Sequence, residues 1–382
     1  MVFNPDVSKQ ATEIYFTNKN VLRDVPDLMF NNNVVKVVKE HKHLGLILDN
    51  HLSFDKHIND KTSKANKGIG VIKALFHILP RKSLLNIYLS FIRPHLDYCD
   101  IIYHKSSNDE LSTFEYEANT PINANIKFNS RIESVQYNAA LAITGCIRGT
   151  SREKVYNELG LMSLYDRRTF HRLVFFYKIK HNLLPDYLRL CIPDEHEQTI
   201  YFLKARRKNN FSTRTKKFQY SFFPHCTNAW ENLSTIITGS LSLNIFKSRY
   251  LEFFSVKPNS VYRIHNHIGL KYLTRLRVGL SHLKSRKFVH KFRDTPDKFC
   301  VCDESSVEST EHYLLVCPNY HQFRHQLFTD LQTEMSIIPF NKSYLTQILL
   351  YGSESYSDGI NNFILKCTIN YLINTKRFDG PI

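Results

Sequence analysis

Cysteine is scarce in this chain: eight in 382 residues are too few for a disulfide scaffold, although three of them fall between positions 300 and 317. The opening segment MVFNPDVSKQ lacks the charged-then-apolar layout of a secretion signal. Long apolar runs are missing as well; LVFFYKI at 173–179 falls far short of the roughly 20 residues that a membrane span needs. These absences read as a nuclear or cytoplasmic protein with reduced thiols and no membrane partner. Acid is in deficit, with 35 Asp and Glu against 51 Lys and Arg, for a net charge of +16. That imbalance favours a polyanionic partner, nucleic acid first and an acidic membrane surface as its rival. Catalytic signatures are lacking too: there is no GxSxG elbow, no HExxH helix and no phosphate loop of the GxxxxGKS/T kind. No two aspartates are adjacent, and no other clustered acidic set could hold two Mg2+ ions about 3.5–4 Å apart for phosphoryl transfer.

What is present suffices for two or three cores, with 42% hydrophobic and 13% aromatic residues. The pattern predicts an α+β protein, mostly α. TEIYF, LMF, VVKVV and HLGLIL read as short strands over 1–50, a β-meander around the turn-forming Asn31, Asn32 and Asn33. From Ser53, a plausible N-cap, Ile58, Ala65, Ile69, Ile72, Phe76 and Leu79 recur at helical spacing, with Lys64 and Lys67 facing away as a further basic surface and candidate nucleic-acid contacts. Within this stripe NKGIG at 66–70 reads as close helix packing and not as a phosphate cradle. A second helix after Pro80 carries Leu84, Tyr88 and Phe91 and stops at Pro94. After a polar stretch, RIESVQYNAALAIT aligns Ile132, Val135, Ala139 and Ala142. TSRE then offers a capping box from Thr150 to Glu153, and SLYD caps a helix bearing Phe170, Leu173 and Tyr177. The expected layout is a strand region over 1–50, a helical domain over 51–190, a basic connector over 191–268 and a C-terminal region over 269–382.

Three features point to chemistry. KARRKNNFSTRTKK at 204–217 holds Lys204, Arg206, Arg207, Lys208, Arg214, Lys216 and Lys217 and no acid. Phe211, Phe218 and Tyr220 interleave with it, which suits phosphate contacts with some base stacking, although a solvated face is the plainer reading of such a run. GLKYLTRLRVGLSHLKSRKFVHKFR at 269–293 is also basic, with Arg275, Arg277, Arg286 and Lys287 as candidate contacts and Leu273, Leu276, Leu280 and Leu283 as a helical apolar face. Directly after it, CVCDESSVESTEHYLLVC brings Cys300, Cys302, His312 and Cys317 together, with His321 competing for the fourth place. Three thiolates and an imidazole complete a tetrahedron around Zn2+ and leave no open position, so the ion would be structural; the CxC spacing is tighter than usual.

FNPDVSKQATEIYF, HKHLGLILDNHLSFDKHI, IYLSFIRPHLDYCDIIY, SVQYNAALAITGCIRGTSREKVYNELGL and RLRVGLSHL resemble the reverse transcriptase polyprotein of jockey-type non-LTR retrotransposons. The resemblance runs through the cysteine-histidine cluster and skips 108–130, which reads as an insertion or a retained non-coding segment. It implies the edge of a polymerase palm, a helical thumb over 51–190, a connector and a zinc knuckle. His43, Leu44 and Gly45 would match the hairpin that supports the primer end. The family's paired aspartates and their Mg2+ ions belong to a palm motif upstream of FNPD, which this chain lacks. The expectation is therefore a truncated fragment that binds RNA or DNA with little sequence preference and does not polymerise. The alternatives are a stand-alone nucleic-acid or protein interaction module retained by a host, or an inert pseudogene product.

Overall fold

The computed structural model describes residues 12–16, 27–30, 33–103, 131–192, 211, 216–219, 221–254, 264–335 and 338–379. The architecture is mostly helical and falls into two compact units, each assembled from separated stretches. The first takes Met1–Ala65, Pro94–Val135 and Leu164–Phe254; the second takes Asn66–Arg93, Gln136–Ser163 and Ser255–Ile382. The units are thus interleaved along the chain. Positions 108–130 lie outside the described residues.

In the first unit the described strands make three two-stranded pairs. Met29–Phe30 pairs antiparallel with Asn33–Val34, but Thr12–Glu13 runs parallel to Lys36–Val37, which a simple meander would not do. HLGLIL is not one strand. Glu40–His43 and Leu46–Asp49 form a hairpin turned at Leu44 and Gly45, whose φ angles of 46° and 84° give the doubly left-handed turn that matches strand twist. A Cβ on Gly45 would come within 2.9 Å of the Tyr98 hydroxyl, and that hydroxyl donates to the Leu44 carbonyl.

The hairpin leads straight into the helix Asp55–Leu75. Asp49 caps the junction: its carboxylate accepts from the backbone N–H groups of His51, Ser53 and Phe54 at 3.1, 3.0 and 2.8 Å. Ser53 Oγ, the cap expected from sequence, accepts the Asp55 N–H at 3.3 Å. Ile58, Ala65, Ile69 and Ile72 are buried along the helix, while Phe76 and Leu79 follow its end and are half-buried.

The next helical run departs from expectation at Phe91. Arg81–Ile87 widens into a π turn at Tyr88–Ile92 before continuing as Arg93–Asp97. The wide turn carries Ile92 inward at 0% exposure and leaves Phe91 70% exposed. Pro94 does not stop the run: the π turn before it has already broken the regular ladder, with the Arg93 N–H reaching back five residues to the Tyr88 carbonyl, and the missing proline N–H falls at that shift of register.

One expected cap is replaced, and another helix start gains a cap from a distant residue. Ser151 precedes the helix Arg152–Leu159 without a side-chain cap, and Thr150 Oγ1 turns back to the Ile147 carbonyl. The helix Leu164–Lys180 is capped from elsewhere in the first unit: Glu133 Oε2 accepts the Leu164 N–H at 3.1 Å. This helix carries the aromatic core of the first unit. Tyr177 and Trp230 each pack on Phe246, with centroids 4.9 and 5.5 Å apart. The helices Phe222–Glu231 and Leu243–Phe254 are held by these contacts, so much of the expected connector is folded.

The core of the second unit gathers Leu270, Leu273, Leu276, Leu283, Leu327, Leu331, Ile348, Leu349, Ile364, Leu365 and Leu372. All but Leu283, which caps the short helix Lys284–Val289, come from the helices His267–Val278, His321–Gln332, Lys342–Tyr351 and Asp358–Asn374. The stretch 269–293 is not one helix. Gly279, at φ 80°, ends His267–Val278, and a short helix Lys284–Val289 follows. Leu273, Leu276, Leu280 and Leu283 are nonetheless all buried, because the turn keeps them on the core side.

Candidate metal centre and the basic surface around it

Cys300 and Cys302 sit on a small hairpin in which Phe299 and Val307 form an antiparallel bridge. The Cys300 N–H donates to the Ser306 carbonyl at 2.8 Å. Asp303 closes the tip, accepting from the Ser306 hydroxyl and the N–H groups of Ser306 and Ser305, and these bonds hold its carboxyl well below the usual carboxylate range. Alternation along the hairpin turns Cys300 inward at 2% exposure while Val301 is 70% exposed.

The other two residues come from a π turn, His312–Val316, whose closing bond runs from the Cys317 N–H to the His312 carbonyl at 2.7 Å. This wide turn brings two side chains five positions apart to the same place. The four candidate donor atoms lie within 4.8 Å of one another. Cys300 Sγ and Cys317 Sγ are 3.7 Å apart, and Cys302 Sγ lies 3.3 Å from His312 Nε2. Tetrahedral Zn2+ with bonds of roughly 2.3 Å to sulfur and 2.0–2.1 Å to nitrogen would set these edges at about 3.7 and 3.6 Å. The cluster can therefore hold a metal ion. His321 is exposed and outside the cluster, so His312 takes the fourth place. Burial and then the crowding of neighbouring thiols push Cys302 up to about 12, and burial raises Cys317, so these two thiols resist ionisation until a cation compensates them.

Both halves are anchored. Tyr313 and Leu314, within the π turn, are fully buried in the second-unit core. Arg324 Nη2 donates to the Cys317 carbonyl at 2.8 Å. Glu308, after the hairpin, accepts the Lys284 N–H at 2.7 Å and both Nε and Nη2 of Arg377 at 2.9 Å, while its carbonyl accepts from the Ser285 hydroxyl at 2.7 Å. The centre is thereby fastened to the start of the basic helix Lys284–Val289. Sequence reading missed Glu308, Arg324 and Arg377: none has a local motif, and Glu308 and Arg377 are 69 positions apart.

The expected nucleic-acid contacts fare unequally. Arg286 is exposed. Lys287 reaches Asp294 at 2.5 Å. Arg275 is half-buried, with Nε donating to the Gly145 carbonyl at 2.9 Å. Arg277 must be withdrawn as a surface contact: at 7% exposure it donates to Glu158 Oε1 at 2.9 Å and to the Leu350 carbonyl. The same carboxylate oxygen holds the buried Arg81 at 3.0 Å. Lys64 pairs with Asp60 at 2.8 Å and Lys67 is exposed. His43 and Leu44 are exposed at the hairpin tip, with Gly45 beside them partly covered. Lys204, Arg206, Arg207, Lys208 and Arg214 lie outside the described residues, and Lys216 and Lys217 open the short helix Lys216–Gln219. Phe211 and Phe218 pack edge to face with centroids 6.1 Å apart, and Tyr220 lies outside the described residues.

A second group, Asp97, Asp100 and His171, also brings candidate donors within 4.8 Å. Here Arg167 Nε donates to Asp97 at 2.8 Å and His171 Nδ1 is 2.6 Å from Asp100, so these donors are already engaged by protein partners. Among the described residues no helix is long and apolar enough to cross a membrane. No protein-family profile, no curated protein and no solved structure matches the chain.

Proposed function

We propose that this chain is a nucleic-acid-binding fragment of a jockey-type non-LTR reverse transcriptase, in which a structural zinc knuckle orients a basic surface and no polymerase chemistry occurs. One observation carries the reading: Glu308 joins the cysteine-histidine hairpin to the first turn of the Lys284–Val289 helix and to Arg377. A closed metal centre with no place for an activated water, fastened to a cationic helix, is suited to positioning charge and not to hydrolysis. The segment from Lys284 to Lys298 holds six lysines and arginines against two aspartates. Zinc is favoured over harder ions because three of four donors are sulfur. Binding to RNA or DNA would be electrostatic and sequence-tolerant, with the 204–217 run contributing alongside.

Native mass spectrometry is expected to find one zinc per chain, lost in Cys302→Ser, and zinc loss is expected to weaken binding to labelled single strands. A metal-free protein with full nucleic-acid affinity would refute the knuckle's role. Given a primed RNA template, Mg2+ and nucleotides, the chain is expected to extend nothing, since it contains no adjacent aspartates.

A further inference from the structure

Four cations in the second unit gather along and just beyond one helix, two on the helix itself and two brought to its C-terminal glycine by neighbouring helices; two of the four are absent from the sequence reading. Lys271 and Arg275 stand four residues apart on the His267–Val278 helix, about one turn or roughly 6 Å. Half-burial, and after it the Arg275 charge, hold the Lys271 ammonium below the usual lysine range. Asp379, the nearby acid, accepts the Tyr272 hydroxyl at 2.8 Å; it attracts the Lys271 ammonium through space but forms no ion pair with it. Four residues beyond Arg275 comes Gly279. Lys154 Nζ and Arg286 Nη1 converge there, 3.5 and 3.9 Å from the point where a Cβ of residue 279 would stand. Lys154 and Arg286 are both exposed.

Most other cations near this helix are spoken for: Arg81, Arg277, Lys284 and Lys287 all meet carboxylates. Among the described residues Lys154, Lys271, Arg275 and Arg286 form no ion pair with an acid. The negative end of the helix dipole accounts for two cations beside Gly279. It does not account for Lys271, two turns upstream. The Arg275 Nε bond to the Gly145 carbonyl fixes the guanidinium and leaves its Nη donors for an acceptor of fork geometry such as phosphate.

We propose that Lys271, Arg275 and the Lys154/Arg286 pair form three successive stations, one helical turn apart, for consecutive backbone phosphates of a single nucleic-acid strand. This rests on the nucleic-acid reading above and adds where on the second unit the strand runs. The test uses the full zinc-loaded chain and a labelled oligothymidylate across a salt series. Each lost phosphate contact on a single strand removes about 0.7 from the log-log salt slope, so Lys154→Gln/Lys271→Gln, which removes one station and half of another, is expected to flatten it by about 0.7 to about 1.4. Lys342→Gln/Lys366→Gln, which removes two exposed lysines from other helices, is expected to leave it unchanged. Equal flattening by both pairs would show diffuse charge and overturn the track, as would an unchanged slope in the first pair. If the slope then still falls when the 204–217 run is neutralised, the broader binding reading survives. A wild-type chain that binds no strand at any salt would sink both.

Discussion

Glu158 and His57 show how much a single buried side chain decides. Glu158, 3% exposed, accepts from Arg81 and Arg277 through one oxygen, and Thr274 joins the same network through Arg81 at 2.7 Å. Removing the carboxylate strands two buried guanidinium groups. Glu158→Ala is expected to lower unfolding free energy by about 3–5 kcal/mol, read as a shift of the urea midpoint. Arg277→Gln is expected to lower stability without changing the nucleic-acid salt slope, because its charge never reaches solvent. His57 is buried and its Nδ1 accepts the Ile47 N–H at 3.3 Å, which requires that nitrogen unprotonated. Burial first, and then Lys61, depress its pKa below the ordinary value near 6.5. Between the depressed folded value and 6.5 the unfolded chain binds the extra proton, so stability is expected to fall as pH drops through 6.5. Urea midpoints measured from pH 7.5 to 5.5 should show this slope, and His57→Asn should reduce it.

At the scale of elements, two glycines in one helix have opposite roles. A Cβ at Gly68 would come within 2.6 Å of Ile92 Cγ1, and Ile92 is fully buried with nowhere to yield; a Cβ at Gly70 would meet nothing within 4 Å. Gly68→Ala is expected to destabilise by about 1–3 kcal/mol through overpacking. Gly70→Ala is expected to stabilise by about 0.5–1 kcal/mol through helix propensity. Thermal unfolding of the two variants checks both signs. The knuckle is an element with unequal halves. Its His312 side is built into the core through Tyr313 and Leu314, whereas the 299–307 hairpin has Val301 exposed and little core beneath it. Chelation is expected to raise amide exchange over 299–308 while helical circular dichroism holds nearly constant. A collapse of helicity on chelation would show that the metal carries the whole unit.

Across the whole molecule, the +16 charge sets the strength and salt dependence of any nucleic-acid binding. Neutralising Lys204, Arg206, Arg207, Lys208, Arg214, Lys216 and Lys217 is expected to flatten the salt slope by several units, measured by anisotropy on duplex and single strands. The interleaving of the two compact units also predicts how truncation behaves. A cut after 190 would leave the second unit without Ser255–Ile382 and the first without 191–254, so neither piece would keep its full core. Expression of 1–190 and 191–382 as separate chains is expected to give poorly cooperative thermal transitions.

The sequence alone determined what depends on periodicity, composition and short spacing. The Ile58–Ile72 stripe, the helix Arg131–Thr144, the buried leucines of 273–283 and the four members of the cysteine-histidine cluster were all legible. Helical spacing and metal-ligand clustering act over a few turns, and neighbouring residues record them directly. Only the tertiary structure decided between His312 and His321, because a π turn and not spacing carries His312 to the sulfurs. It alone turned Arg277 inward, since the carboxylate that draws it lies 119 positions away. It likewise moved Phe91 outward through a widened turn and placed Lys154 beside Arg286 at Gly279. Charge partners and helix register are set by what packs alongside, and a one-dimensional pattern does not contain its neighbours in space.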